Sequence, residues 1–267
     1  MALIIENASV DNDLPKSRQS ANTLFHFMTE LKYLESILMK RKLYPRYCKE
    51  TYTFMDKGFP SLIYPMKCFC DIHLEKIYLH CDDYGSFGIG FYKKLFIKKN
   101  IQPVQYINSD SSICKEYNNL SLDYIERNGG SVSAKFFDDE LFKQLKFSKP
   151  LMGQIVSNQK GEYEKFFTDE QEWRYVPDFK QFKKNSPFLD PISDSEIIKI
   201  KSNQIETEDE LYLDFNYEEI KYLLVDNTTS AELLIEFIYS DLKDVKKQDR
   251  LKLISKIIVL NDLMEDL

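Results

Sequence analysis

No apolar run in the chain approaches the roughly 18 consecutive residues that a membrane-spanning helix requires. The opening stretch, MALIIENASVDNDLPKSRQS, lacks the basic-then-apolar pattern of a secretory leader. The five cysteines, Cys48, Cys68, Cys70, Cys81 and Cys114, are odd in number. Together these absences predict a soluble cytoplasmic protein with reduced thiols and no membrane partner. A basic surplus is also missing: 36 Lys and Arg stand against 43 Asp and Glu, for a net charge of −7. That balance argues against a nonspecific nucleic-acid binder but leaves room for a local basic groove. There is no dinucleotide fingerprint, no Walker lysine motif and no G-x-S-x-G elbow. A Ser or Cys nucleophile with a histidine base stays open, because such triads are assembled in space.

The residues that are present suit a packed core. Hydrophobic content is 43%, with 17 Tyr and 19 Phe, so the chain is not disordered by composition. No internal repeat and no long Pro/Gly/Ser linker divides it. Residues 1–20 read as a polar leader and 21–267 as one α+β domain.

LFHF (24–27) reads as a strand. Thr29 is placed to cap the helix in which Leu31, Leu34, Ile37 and Leu38 share a face. The segment 43–50 reads as extended, since Tyr44 precedes Pro45. Residues 61–70 read as a strand in which Pro65 predicts an edge or a bulge. A helix capped by Asp71 is expected over 71–81, strands over 84–92 and 101–107, and helix over much of 111–147, broken at Gly129-Gly130. FFTDEQEWRYV (166–176) leads into a strand and 177–191 reads as a loop. Strands are expected at 196–201, 211–215, 221–225 and 255–260, with a helix capped by Thr228 or Thr229 after the third. Short strands among helices, without a βαβ rhythm, predict mixed or antiparallel pairing rather than a doubly wound sheet.

Several constellations could carry chemistry. Gly85, Gly88 and Gly90 give either a strand with close backbone approach or a strand lining a ligand pocket. Cys68 and Cys70, with His73, His80 and Cys81 nearby, lack zinc-site spacing and read as buried thiols, so no metal is expected. The paired carboxylates Glu170 and Glu172 stand at the mouth of the strand EWRYV, as solvated entry residues or as reagents on a rigid element. His26 lies inside the first apolar strand, as a satisfied core residue or a ligand-binding one. Arg46 follows Pro45 among aromatics and needs an anion or carboxylate partner. Histidine, arginine and glutamate on separate elements suit a ligand with phosphates, a ribose and a developing cationic centre.

The segments FHFMTELKYLESILMKRKLYPRYCKE, PMKCFCDI, HCDDYGSFGIGFYKK, IQPVQY and EQEWRYV, taken in order with KYLLVDN, resemble the AbiGi family of abortive phage-infection proteins. That resemblance implies the antitoxin side of a two-gene phage-resistance system, with a cognate toxin as partner. More distantly, His26-Phe27-Met28-Thr29, the helix to Leu38, Arg46 and Glu172 resemble the order of elements in DarT-type ADP-ribosyltransferases. This second resemblance implies an ADP-ribosyltransferase-like fold and NAD as substrate, with nucleic acid or protein of phage or host as acceptor, or hydrolysis of NAD on the same residues. His26 would bond the ribose, beside Thr29, and Arg46 the pyrophosphate or the acceptor. Glu172 would hold the ribose 2′-hydroxyl and stabilise the oxocarbenium-like state. Glu170 would orient the acceptor, and Tyr84 or Ser86 would supply a second-strand hydroxyl. The helix carries Lys32-Tyr33-Leu34 where that pattern has an Asn-Leu pair. Two functions therefore compete: an NAD-dependent enzyme, and a non-enzymatic antitoxin that binds a partner.

Overall fold

The computed structural model describes residues 20–55, 61–128, 136, 139–157, 161–209 and 211–265. All but the last residue of the polar leader, and the Gly129-Gly130 break, lie outside them. β1 (Thr23–Met28) leads into α1 (Leu31–Lys40), β2 (Lys42–Leu43), β3 (Arg46–Thr51) and the long β4 (Ser61–Cys70). A 3-10 turn at Leu74–Lys76 precedes α2 (Ile77–Tyr84), β5 (Phe87–Tyr92), α3 (Lys93–Phe96), β6 (Ile101–Pro103) and β7 (Gln105–Ile107). Then come α4 (Ser112–Asn128), α5 (Glu140–Leu145), β8 (Ser148–Pro150) and a hairpin of β9 (Met152–Ser157) and β10 (Gly161–Phe166). A 3-10 turn, Phe167–Glu170, delivers β11 (Glu172–Tyr175). The chain finishes with α6 (Ser195–Gln204), β12 (Leu213–Asp214), β13 (Ile220–Val225), α7 (Thr228–Ser240), α8 (Lys247–Ile254), β14 (Ile257–Val259) and α9 (Leu260–Glu265).

Eight strands form one sheet in the order β14-β13-β5-β1-β4-β11-β6, with β3 also on β4. Among the described residues its pairings are antiparallel except β13 with β14. This is the mixed α+β architecture expected. The period-2 alternation of the strands sets two faces. On one, Leu24, Met28, Phe69, Ile89, Phe91, Leu223 and Val225 pack against Leu34 and Leu38 of α1 and Leu234 and Ile238 of α7. On the other, Phe25, Phe27, Cys70 and Leu224 meet α2 and α9 through Ile77, Cys81 and Leu260. Further along that face Tyr64 and Met66 meet Tyr117 and Tyr124 of α4 and Phe142 of α5. Fully burying each such side chain contributes roughly 1.5–3 kcal/mol, so the sheet is fixed from both sides.

The glycines of β5 serve packing at Gly90, where an added Cβ would lie 2.7 Å from the Phe25 ring. That ring stacks on Tyr222, centroids 6.1 Å apart. Gly85 turns with φ +100°, and a Cβ there would sit 2.3 Å from the Met28 carbonyl oxygen. Pro65 occupies an interior strand without breaking it. Its β3 neighbour Tyr47 turns its own N–H away from β4, onto the Ser202 hydroxyl at 3.0 Å. The position opposite Tyr47 therefore needs no donor toward β3.

Three helix starts differ from the sequence expectation. Thr29 is exposed, and Glu30 holds the capping position of α1 without a side-chain bond. Asp71 is buried and ion-paired with Lys93, so the helical turn begins only at Leu74. Thr228 and Thr229 are already inside α7, and Asn227 is its cap, accepting from Ser230 N at 3.0 Å. The stretch 196–201, expected as a strand, is helical in α6. Asp194 caps it by accepting from Ile197 N at 2.8 Å, and its Ser202 is buried against β3.

Candidate functional site

Glu172 opens β11, as its sequence position implied, but it is not solvated: it is 6% exposed. Gln171 before it adopts φ +42°, a left-handed turn that few side chains favour. This turn folds the preceding 3-10 segment back, so Glu170 and Glu172 both reach Lys149 of β8, at 2.6 and 3.1 Å. Arg174, two residues on and on the same face, is fully buried. Its Nε donates to Glu172 Oε1 at 2.6 Å, and its Nη2 to Glu50 Oε2 at 2.8 Å and to Glu172 Oε2 at 3.1 Å. The Tyr106 hydroxyl accepts from Glu172 N at 2.8 Å.

The chain of charges continues outward. Glu170 accepts from the Tyr84 hydroxyl and pairs with Lys165 of β10 at 3.4 Å. Lys165 and the Tyr163 hydroxyl both reach Asp83, each at 2.7 Å. His80 tilts over Tyr84 with centroids 4.4 Å apart. Burial pushes the Glu172 carboxyl up, but the charges of Arg174 and then Lys149 outweigh it and hold it well below the usual carboxylate range. Burial likewise opposes the Lys149 ammonium, yet Glu172 and Glu170 keep it well above the ordinary lysine value. Burial, reinforced by the charge of Lys165, brings His80 down to about 4. The network of Glu50, Arg174, Glu172, Lys149, Glu170, Lys165 and Asp83 thus alternates in sign through the interior, which is the condition for burying charge at tolerable cost.

The remaining predicted residues fall elsewhere. Phe25 pairs with Cys70, and Cys70 with Glu172, so those three side chains share a face. His26 is therefore on the opposite face, among Leu24, Met28 and Phe69. Its Nδ1–H donates to the Cys68 carbonyl at 3.0 Å and its ring meets Phe69 edge-on at 5.9 Å. Arg46 is exposed and donates to the Asn203 side chain at 3.3 Å. Among the described residues it has no carboxylate partner; the buried arginine paired with carboxylates is Arg174. Thr29 lies against the Gly85 turn, and Ser86 follows that turn. The fold thus joins Glu170, Glu172 and Tyr84, and leaves His26 and Arg46 apart from them. Sequence reading missed Arg174, Lys149, Lys165 and Asp83. The Glu172-x-Arg174 spacing was a usable signal, since opposite charges two apart on a strand share a face.

The five cysteines are free, and Cys70, Cys81 and Cys114 are buried. Burial pushes the Cys48 thiol up to about 11 and Cys81 to about 12, as for structural rather than reactive thiols. Among the described residues no three metal-ligating side chains cluster, and no helix is long and apolar enough to cross a membrane. A separate cleft of about 440 Å³ opens between α1, α7 and α8, with Glu218, Asp241, Asp244 and Asp249 facing Arg41 and Lys246.

Fold and site together define an α+β protein whose central sheet covers a buried ionic network. The model of a family described as "Putative abortive phage resistance protein AbiGi, antitoxin" matches residues 41–226. The abortive phage resistance protein AbiGi of Lactococcus lactis subsp. cremoris is 36% identical over 222 residues, which cover 76% of this chain and 88% of that protein. No solved structure matches. The chain belongs to the AbiGi family of abortive phage-resistance proteins. Arg46, Tyr84, Ser86, Glu170 and Glu172 lie within the matched span, and His26 and Thr29 precede it.

Proposed function

We propose that the protein is the antitoxin partner of a two-gene phage-resistance system and acts by binding its cognate toxin. One observation carries this reading: Glu172 is spent in ion pairs on the sheet face opposite His26. A carboxylate that stabilises a developing cation must face the ligand, and this one faces Arg174 and Lys149. The family description, which includes the word antitoxin, supports the same reading. The net charge of −7 and the carboxylate-rich cleft between α1, α7 and α8 suit a basic toxin surface. The test is retention of the purified protein by its tagged toxin at low salt. No retention refutes the proposal.

A second reading, NAD-dependent ADP-ribosyl transfer or NAD hydrolysis, has one observation in its favour. Tyr84, Glu170 and Glu172 meet around Lys149, as a reacting carboxylate pair with a hydroxyl would. Nicotinamide release by the wild type, lost in Glu172→Gln with the fold intact, would favour this reading over toxin binding alone.

A further inference from the structure

The central sheet has three margins, and two of them are closed. β6 ends one side with Pro103, which has no N–H to offer. β3 turns its Tyr47 N–H onto the Ser202 hydroxyl of α6. β14 is the third margin, and among the described residues no strand pairs with its outer side. Leu223 pairs with Ile257, and its N–H donates to the carbonyl of Lys256. Parallel pairing then engages both backbone groups of Ile258 with β13 and turns those of Ile257 and the N–H of Val259 outward. Nothing on β14 discourages a further strand: its three side chains are β-branched, apolar and only half-buried.

The helices extend this apolar margin. α7 packs over β13 and β14, with α1 on its β5 side. Asp241 marks that side, since it lines the cleft together with Met39 and Arg41 at the end of α1. At about 100° per residue, Ile235 and Tyr239 stand roughly 120° and 160° round α7 from Asp241, over the outer side of β14. They are 38% and 53% exposed. On the other sheet face, α9 leaves Met264 exposed. Charge is divided along the strand. The approach, residues 247–256, holds Lys247, Arg250, Lys252 and Lys256 against Asp249 alone, and α9 after the strand holds Asp262 and Glu265 with no base.

We propose that this margin binds a second copy of the chain, by antiparallel pairing of β14 with β14 about a two-fold axis at Ile258, so that one sheet runs through a dimer. An isologous patch must complement itself. This one does: it is apolar at its middle and opposite in charge at its two ends. Antiparallel pairing lays the basic approach of each strand beside the acidic exit of the other. With the axis at Ile258, Ile257 exchanges backbone bonds with the partner's Val259. Ile258 then faces its own counterpart as a non-hydrogen-bonded pair, with Cα atoms about 4.5 Å apart. The charges of the patch nearly cancel, so it does not select a basic toxin. The cleft between α1, α7 and α8 lies on the other side of α7 and stays open. The interface thus goes beyond toxin binding, and the dimer presents two such clefts.

The experiment is sedimentation equilibrium of the full chain, without toxin, from about 1 to 100 μM. A dimer of twice 31.6 kDa is expected. Ile235→Lys should weaken it at least about tenfold. Leu233→Lys, exposed on the opposite side of α7, should leave it unchanged. Ile258→Cys, oxidised in solution, should give a disulfide-linked dimer, because the paired Cα atoms lie within disulfide reach; the wild type with its own five cysteines should not. A chain that stays monomeric to about 100 μM overturns the proposal. So does a dimer that Ile235→Lys leaves intact, one that Leu233→Lys weakens equally, or an Ile258→Cys variant that fails to cross-link. A monomer whose toxin binding is abolished by Ile235→Lys assigns the margin to the toxin instead and also overturns it.

Discussion

Replacing Arg174 by methionine should expose what the ionic network contributes. Arg174 is fully buried and its guanidinium serves Glu172 and Glu50, with longer bonds to the Tyr64 hydroxyl and the Lys146 carbonyl at 3.3 and 3.4 Å. Methionine fills much of the volume but leaves two carboxylates under the sheet. Glu172 keeps Lys149 at 3.1 Å. Tyr64 keeps the Tyr52 hydroxyl at 3.2 Å, so the loss is mainly ionic. Breaking one side of a buried pair costs about 3–5 kcal/mol. At roughly 2–4 °C per kcal/mol for a chain of this size, the melting temperature should fall by about 6–20 °C. Urea unfolding at pH 7 reads the free energy directly. The triple variant Glu50→Gln/Glu172→Gln/Arg174→Met should recover much of the loss, because no charge is then stranded. pH adds a second readout. The folded Glu172 carboxyl is held below its unfolded value, so its contribution is complete above about pH 4.3. It is lost as pH falls further, toward the folded value. Arg174→Met should flatten that acid limb. A loss smaller than about 1 kcal/mol, or an unchanged acid limb, would refute the reasoning.

Two other predictions concern stability alone. His80, lowered to about 4 by burial and by Lys165, favours its neutral form in the fold. Stability should therefore decline as pH falls from about 6.5 toward 4, and His80→Phe, which keeps a ring against Tyr84, should remove its share of that decline in a melting series, leaving the share of His26, which burial also holds well below its ordinary value. Gly85→Ala forces a Cβ against the Met28 carbonyl at φ +100°. It should destabilise by about 1–3 kcal/mol or more, measured by urea unfolding; an unchanged midpoint would contradict the close approach of the Gly85 turn to β1.

Where local pattern and packing agree, the fold was readable in the residues. Thr23–Met28, Ser61–Cys70, Glu172–Tyr175 and Ile220–Val225 are strands because apolar and β-branched residues recur at strand spacing between turn signals. The helix at 196–201 was not readable as one, because Ile197, Ile198 and Ile200 fit a short strand as well as one turn of helix. Asp194, whose cap decides between them, lies just outside that run. The cap at Asp71 went astray for a different reason: its side chain binds a partner the tertiary fold presents, Lys93, whereas at α7 the neighbouring Asn227 takes the capping place beside Thr228. At the site, Glu172 on a rigid strand was legible, whereas Lys149, Lys165 and Asp83 reach the cluster from distant segments. Nothing local marks them. Arg46 stood out as a charge among aromatics, yet the buried arginine is Arg174, whose partner sits two residues away on the same strand.

The most direct test of the proposed function is the affinity of the protein for its cognate toxin, wild type beside Asp241→Lys/Asp244→Lys. Both residues are exposed at the rim of the cleft between α1, α7 and α8, so the fold should tolerate the change. The account predicts salt-sensitive binding by the wild type and at least a tenfold weaker complex for the variant. Equal affinity of the two proteins would contradict the cleft as the toxin-binding surface, and no binding by either would contradict the antitoxin reading itself.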